Sequence, residues 1–166
     1  MYFRYVIFHK TVYSIRADTD RINIRSTISC WVQKMVDIPA EVMEIMNAQG
    51  TVKALVTANK AGQPHAIVCG TIACPAPGKM VVGEVLMKRS AEYMAENGKA
   101  AFMIAAGPKA YEIQVENPVR YDNGDALAQM NEMLAGVNLH AKVLWMFDVV
   151  AVYDEGAGPN AGKKIA

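Results

Sequence analysis

The residues with the clearest chemical potential are Lys88, Arg89 and Ser90, which lie between an apolar, strand-like run ending at Leu86 and a short predicted helix. The first turn of a helix has free backbone N–H groups and a partial positive charge. An arginine adds a planar fork of donors that grips phosphate, and a serine adds a hydroxyl. The spacing therefore predicts a phosphate site. One alternative stays open, in which Ser90 caps the helix and both cations are solvated.

Two glycines interrupt apolar strands close to this segment, Gly70 in VCGTI and Gly83 in VVGEV. Glycine weakens a strand, so it often marks a bulge or the close approach of a ligand. Either glycine could let a flat aromatic group lie against the backbone, and an ordinary bulge is the alternative. His65 and His140 are further candidates as proton donors, although a histidine in such a place is commonly a hydrated surface residue.

The remaining reactive side chains point to no other chemistry. Cys30, Cys69 and Cys74 are too few for a disulfide framework. The C-x4-C spacing of the last two lacks a second pair that would complete a zinc site. We therefore predict free thiols and no metal. The chain also shows no Ser/His/Asp set, no paired-carboxylate motif and no GxGxxG.

The elements that must position these residues follow from the periodicity of apolar residues. The clearest strand alternates Tyr111, Ile113 and Val115 with a polar set, which indicates one wet face. In the last strand, one alternating set could fill a barrel and the other a dimer face. The pattern predicts a mainly β (α+β) fold, a six-stranded antiparallel split β-barrel with short peripheral helices. The predicted helices are 38–48, 89–97 and 125–135, and the predicted strands are 51–59, 65–74, 79–86, 99–106, 110–122 and 141–153.

Charge divides the chain unevenly. Residues 1–34 hold six lysines and arginines and two acids, whereas the whole chain has a net charge of +1. This predicts a basic N-terminal extension (1–34), one domain (35–155) and a loose C-terminal tail (156–166). The leader is too charged to span a bilayer and lacks a signal-peptide pattern. A misassigned start codon or a foreign extension is favoured over an organelle transit sequence. The near-neutral charge gives no reason to expect nucleic-acid binding, and free thiols fit the cytoplasm.

From Pro39 to Val152 the sequence resembles the FMN-binding split barrels of the pyridoxamine 5′-phosphate oxidase superfamily, particularly its small flavoredoxin-like and FMN-binding members. Two stretches carry the resemblance, TANKAGQPHAIVCG and KMVVGEVLMKRSAEYMAENGKAAFMI. The first matches a strand–turn–strand hairpin. The second matches a strand, a basic and Ser/Thr signature, a short helix and a following strand.

The resemblance implies FMN as the cofactor and assigns residues to it. Arg89 and Ser90, with Lys88 before them, match residues that hold the phosphate. Val68, Cys69 and Gly70 match the strand that meets the isoalloxazine ring and ribityl chain, and Thr71 follows them. Gly83 and Glu84 match the next strand's contact to the ring. It also implies a homodimer with each flavin at the subunit interface.

The resemblance has limits. The oxidase's additional phosphate-binding cations are absent from Ile67–Ile72, and the chain ends without the region that grips the vitamer. Pyridoxamine 5′-phosphate oxidation itself is therefore not expected. The sequence favours an FMN-binding oxidoreductase or electron carrier that uses NAD(P)H or a protein donor. The alternative is a cofactor-binding module without turnover, which carries haem, deazaflavin or flavin or meets a partner through its dimer face.

Overall fold

The computed structural model describes residues 5–8, 11–14 and 35–166. The chain divides into two compact units, residues 1–32 and 33–166. In the first unit, β1 (Tyr5–Phe8) pairs antiparallel with β2 (Thr11–Ser14). The sequence did not indicate this hairpin, because each strand has only four residues and shows little periodicity. The foreign or misassigned origin of residues 1–34 stays a prediction.

The second unit is a mainly antiparallel β-sheet with three short helices, as the α+β prediction requires. It has eight strands and not the six that the sequence predicts. Of its helices, the longest has 11 residues. In the described part of the chain, no helix is long and apolar enough to cross a membrane. The elements are α1 (Ala40–Asn47), β3 (Val52–Ala58), β4 (Pro64–Val68), β5 (Ile72–Ala76), β6 (Lys79–Glu84), α2 (Arg89–Glu96), β7 (Lys99–Ala106), β8 (Lys109–Tyr121), α3 (Asp125–Ala135), β9 (Val143–Asp154) and β10 (Lys163–Lys164).

One additional strand arises because the predicted strand 65–74 is broken. Cys69, Gly70 and Thr71 form a bend that separates β4 from β5. The strand order is β4-β3-β7-β8-β9-β6-β5, so the two halves lie at opposite ends of one open hydrogen-bonded path. The three-residue bend therefore joins the two ends of the sheet, and the sheet must curl to allow it.

The other additional strand lies in the predicted loose tail. Lys163 and Lys164 of β10 pair with Asp154 and Tyr153 of β9. The backbone N–H groups of Ile165 and Ala166 donate to the carbonyl of Val152. The glycine-rich loop before β10 permits this reversal, since Gly162 has a φ of 77°. The tail is thus docked on the sheet and not loose.

The inner face of the curled sheet holds the main core. Tyr111, Ile113 and Val115 are buried there, which confirms the alternation predicted for β8. Phe102 and Phe147 meet edge to face, with ring centroids 5.6 Å apart. The predicted wet face of β8 is only half-exposed.

A second, smaller core lies on the outer face of β6 and β9, beneath α3. Leu144 is buried there with Leu127 and Met130 of the helix. The sequence left open which of the two alternating sets of β9 would form a dimer face. The set that contains Leu144 packs against α3. Gly83 lies in this contact, where an added Cβ would come within 3.1 Å of the Ala141 Cβ and 3.3 Å of the Met130 Cγ.

The packing of α3 predicts that Gly83→Val lowers the free energy of unfolding by about 2 kcal/mol, because a branched side chain overpacks a site already in contact with Ala141 and Met130. Denaturant unfolding measures the change. Gly70→Val is the matched control, since a Cβ there meets no atom within 4 Å, and we expect it to stay within about 0.5 kcal/mol of the wild type. Equal effects of the two substitutions would contradict the packing explanation.

Candidate functional site

A cavity of about 480 Å³ opens where the bend 69–71 meets the end of β6 and the residues after α3. We call it the bend cavity. Five of the nine predicted site residues line it: Val68, Cys69, Gly70, Thr71 and Gly83. Among the described residues, the remaining ones that line the cavity are all apolar: Ile67, Val85, Leu86, Met87, Leu134, Val137 and Leu139. The structure thus brings the predicted ring-contacting residues together, apart from Glu84.

The bend that forms one wall of the cavity is held by hydrogen bonds from two strands. The Cys69 N–H donates to the Lys53 carbonyl of β3 at 2.9 Å. The Thr71 hydroxyl donates to the Gly83 carbonyl of β6 at 2.8 Å, and the Cys69 Sγ lies 2.9 Å from the same hydroxyl oxygen. The Lys53 ammonium also donates to the Ile72 carbonyl at 3.2 Å. These bonds give the wall a defined shape.

The two glycines of the cavity wall differ in the space around them. A Cβ on Gly70 would meet nothing within 4 Å, so the space beside this residue is open. The corresponding space at Gly83 is taken by Ala141, Met130 and Thr71. Close packing therefore explains Gly83, whereas Gly70 leaves room for a ligand. The prediction that both glycines admit a flat ring is supported by geometry at Gly70 alone.

The predicted phosphate residues lie directly after Met87, a lining residue of the cavity. Helix α2 begins at Arg89, and Lys88 occupies the N-cap position without a side-chain capping bond. Lys88 and Arg89 are exposed and are not among the lining residues of the bend cavity. The helix-capping part of the alternative is wrong, because Ser90 lies one residue inside the helix. The exposure of Lys88 and Arg89 agrees with the other part, in which both cations are solvated.

The Ser90 hydroxyl is the most unusual polar group at the start of α2, and Ser90, like Lys88 and Arg89, is not among the lining residues of the bend cavity. The residue is fully buried, and its Oγ has no hydrogen-bond partner among the described residues. A buried hydroxyl without a partner costs about 1–3 kcal/mol, so such groups are uncommon in native proteins. The hydroxyl lies in the first turn of α2, where backbone N–H groups are also unpaired by the helix.

Glu84 does not join the cavity wall. Its carboxylate accepts a hydrogen bond of 3.0 Å from the Trp145 indole N–H, and Trp145 belongs to the main core. The side chain of Glu84 is therefore engaged with the barrel interior. A role in contacting a ring stays a prediction for this residue, and the geometry gives it no support.

The other candidate side chains lie away from the cavity wall. The ring of His65 makes an edge contact with Tyr93, at a centroid distance of 6.0 Å. His140 is exposed and follows Leu139, which lines the cavity. Burial is the main influence that raises the pKa of the Cys74 thiol, so its reactive thiolate is disfavoured. None of the three lines the bend cavity.

Two contributions to the site were not predicted from the sequence. The Lys53 ammonium donates to the Ile72 carbonyl, although Lys53 lies 19 residues before Ile72. The apolar side chains of Val137 and Leu139 form a wall of the cavity and are 63% and 42% exposed. An apolar pair just after the predicted end of a helix was the available signal for this wall.

Comparisons with known proteins define the fold. No protein-family profile matches the chain, and no curated protein sequence matches it. Solved structures do match. HupZ of Group A Streptococcus is 16% identical, with a TM-score of 0.65 over 75% of this chain and 99% of its own. An FMN-binding protein of Syntrophomonas wolfei is 16% identical, with a TM-score of 0.62 over 69% and 86%. A candidate pyridoxamine 5′-phosphate oxidase of Lactobacillus delbrueckii is 15% identical, with a TM-score of 0.58 over 70% and 93%.

Proteins named for other cofactors share the same fold. HutZ, the haem storage protein of Vibrio cholerae, is 13% identical, with a TM-score of 0.55 over 73% of this chain and 97% of its own. An F420 reductase is 12% identical, with a TM-score of 0.55 over 69% and 98%. At these identities the likeness concerns the fold and not the activity. The resemblance seen in the sequence is confirmed at that level: the chain has the split-barrel fold of the pyridoxamine 5′-phosphate oxidase-like proteins.

Proposed function

We propose that this protein binds FMN noncovalently and transfers electrons through it. The observation that carries the proposal is the unpartnered, buried hydroxyl of Ser90, which lies in a cationic helix start three residues after Met87, a lining residue of an apolar cavity. A planar cofactor with an anionic phosphate tail matches both features, since its ring suits the apolar cavity and its phosphate suits the cationic helix start.

The bend cavity suits the ring of such a cofactor. Its volume of about 480 Å³ falls in the range of small-molecule sites, which are mostly apolar with few polar groups. The polar side chains of its wall are Cys69 and Thr71, and the Thr71 hydroxyl donates its proton to Gly83. The open space beside Gly70 lets a flat group approach the backbone.

The start of α2 suits the phosphate. A phosphate oxygen would give the Ser90 hydroxyl the acceptor that it lacks. The first backbone N–H groups of the helix and the guanidinium of Arg89 would add donors, and Lys88 would add a second positive charge. These residues bind and orient the cofactor, whereas the apolar wall keeps water away from its ring.

Bound FMN would supply the redox chemistry, accepting electrons from a nicotinamide or a protein donor and passing them to an acceptor. The protein's own part is positioning and the exclusion of water. Pyridoxamine 5′-phosphate oxidation is not proposed. The stretch Ile67–Ile72 has no lysine or arginine where the oxidase has additional phosphate-binding cations.

We further propose that two copies associate and that each flavin lies at their interface. Three side chains at the mouth of the bend cavity support this arrangement, since Val68, Leu86 and Val137 are 77%, 85% and 63% exposed. Large apolar groups clustered around a cavity commonly mark a binding or association surface. A second copy laid over them would remove this apolar area from water.

The second candidate is a binding module that carries haem or a deazaflavin without turnover. Proteins named for haem storage and for F420 reduction share the fold, and no histidine or carboxylate of the described residues lies in the wall of the bend cavity. The lack of a general acid or base in the wall fits a carrier as well as it fits a flavin enzyme.

The proposal predicts that FMN added to the purified protein stays bound through gel filtration and gives the absorption bands of an oxidised flavin. Anaerobic bleaching of those bands by NAD(P)H would show that the protein is reduced by a nicotinamide. Mass spectrometry identifies any small molecule that co-purifies. A Soret band, or loss of all FMN during filtration, would reject the flavin assignment.

Arg89→Ala should weaken FMN binding by about 1.5–3 kcal/mol, because a charge-assisted hydrogen bond to the phosphate is lost. Fluorescence titration of FMN measures the affinity. Arg120→Ala is the matched control, since Arg120 is also exposed and forms an ion pair with the nearby Asp122. Identical titrations for the two variants would remove Arg89 from the site.

Ser90→Ala should change stability and binding in opposite directions. Without ligand, removing the unpartnered hydroxyl should raise the free energy of unfolding by about 1 kcal/mol, since an uncompensated buried polar group is lost. FMN affinity should fall by roughly 1 kcal/mol, since a hydrogen bond to phosphate is lost. Denaturant unfolding and FMN titration measure the two effects. A decrease in both quantities would indicate an ordinary structural serine.

A further inference from the structure

Lys53 forms hydrogen bonds to residues at both ends of the bend. Its backbone carbonyl accepts a hydrogen bond of 2.9 Å from the N–H of Cys69, the first residue of the bend. Its ammonium group donates at 3.2 Å to the carbonyl of Ile72, the first residue after the bend. One residue of β3 therefore contacts the start of the bend through its main chain and the start of β5 through its side chain.

The position of Lys53 in β3 explains this reach. Leu55 and Thr57, two and four residues later, are buried on the inner face of the sheet, so the side chain of Lys53 leaves the strand on the same face. It is only partly exposed. Burial is the main cause that lowers the pKa of its ammonium group, and the nearby Cys69 acts in the opposite direction. A cation in such a place needs an acceptor, which the Ile72 carbonyl provides.

The contact matters because β4 and β5 are the two ends of the sheet path and do not pair with each other. We call the gap between them the seam. On one side of the seam, β4 pairs with β3, and on the other side β5 pairs with β6. The Thr71 hydroxyl ties the bend to β6 alone. The side chain of Lys53 crosses the seam from β3 to β5.

We propose that Lys53 is a positioning residue for the bend cavity. Its side chain holds the seam and thereby fixes the wall formed by residues 69–71. The consequence for FMN rests on the proposed function, but the positioning role does not. The side chain itself is not among the residues that line the cavity. Lys53 therefore acts on a ligand through the backbone of the bend.

Hydrogen exchange of the full-length protein without ligand tests the positioning role. Lys53→Met keeps the length of the side chain and removes the donor. Amide exchange in the segment 67–73 should become about tenfold faster, which corresponds to about 1.4 kcal/mol of local opening free energy. Lys53→Arg keeps a charged donor and should restore slow exchange. Lys99→Met is the matched control, because Lys99 forms a surface ion pair with Glu116.

The possible results separate the two proposals. Exchange in 67–73 that stays unchanged in Lys53→Met overturns the positioning role, whatever the FMN titration shows. Faster exchange in both 67–73 and the core segment 145–152 also overturns it, because the variant would then be globally destabilised. Faster exchange confined to 67–73, with FMN affinity about tenfold lower, supports both proposals. The same local change in a protein that binds no FMN supports the role of Lys53 and rejects the proposed function.

Discussion

The connection of three residues between β4 and β5 is the constraint on which the rest of the structure depends. Laid flat, the seven strands of the path would place its two ends about 29 Å apart, at about 4.8 Å per strand. The chain from Val68 to Ile72 can span at most about 15 Å. The sheet must therefore curl, and its inner face becomes a closed core around Phe102 and Phe147. The hydrogen-bonded path stays open at the seam, where the backbone of the bend is accessible to a ligand.

The curl also decides which residues meet at the bend cavity. It brings the bend beside the end of β6, so that Thr71 bonds to Gly83 although the two residues are 12 positions apart. Helix α3 then packs over the outer face of β6 and β9, with Met130 against Gly83. Because α3 packs there, the residues after it supply the apolar wall formed by Val137 and Leu139. A single covalent restraint thus produces both the core and the cavity.

The sequence predicts the local elements well and the long-range ones poorly, for a physical reason. The alternation of Tyr111, Ile113 and Val115 and the short helix after Lys88 depend on neighbouring residues, and the structure contains both. The break within HAIVCGTIAC was missed. An apolar run has the same sequence pattern whether it forms one strand or two strands at opposite edges of the sheet. β10 was missed because two residues carry no periodicity. The partners of Lys53 and Glu84 lie 19 and 61 residues away, and no local pattern reports such contacts.

Haem and FMN are both planar and both carry anionic groups, so the planar shape of a ligand does not discriminate between them. Haem iron in proteins is held by His, Cys, Met or Tyr. The bend cavity offers Cys69 and Met87, but the Cys69 Sγ is engaged with the Thr71 hydroxyl, and the ring of His65 packs on Tyr93. An unpartnered hydroxyl at a helix start with two cations is typical of phosphate recognition and contributes nothing to iron ligation. These polar groups are the reason for proposing a phosphate-bearing cofactor and not haem: the ring of a flavin mononucleotide would lie in the apolar bend cavity, and its anionic phosphate would face the cationic start of α2.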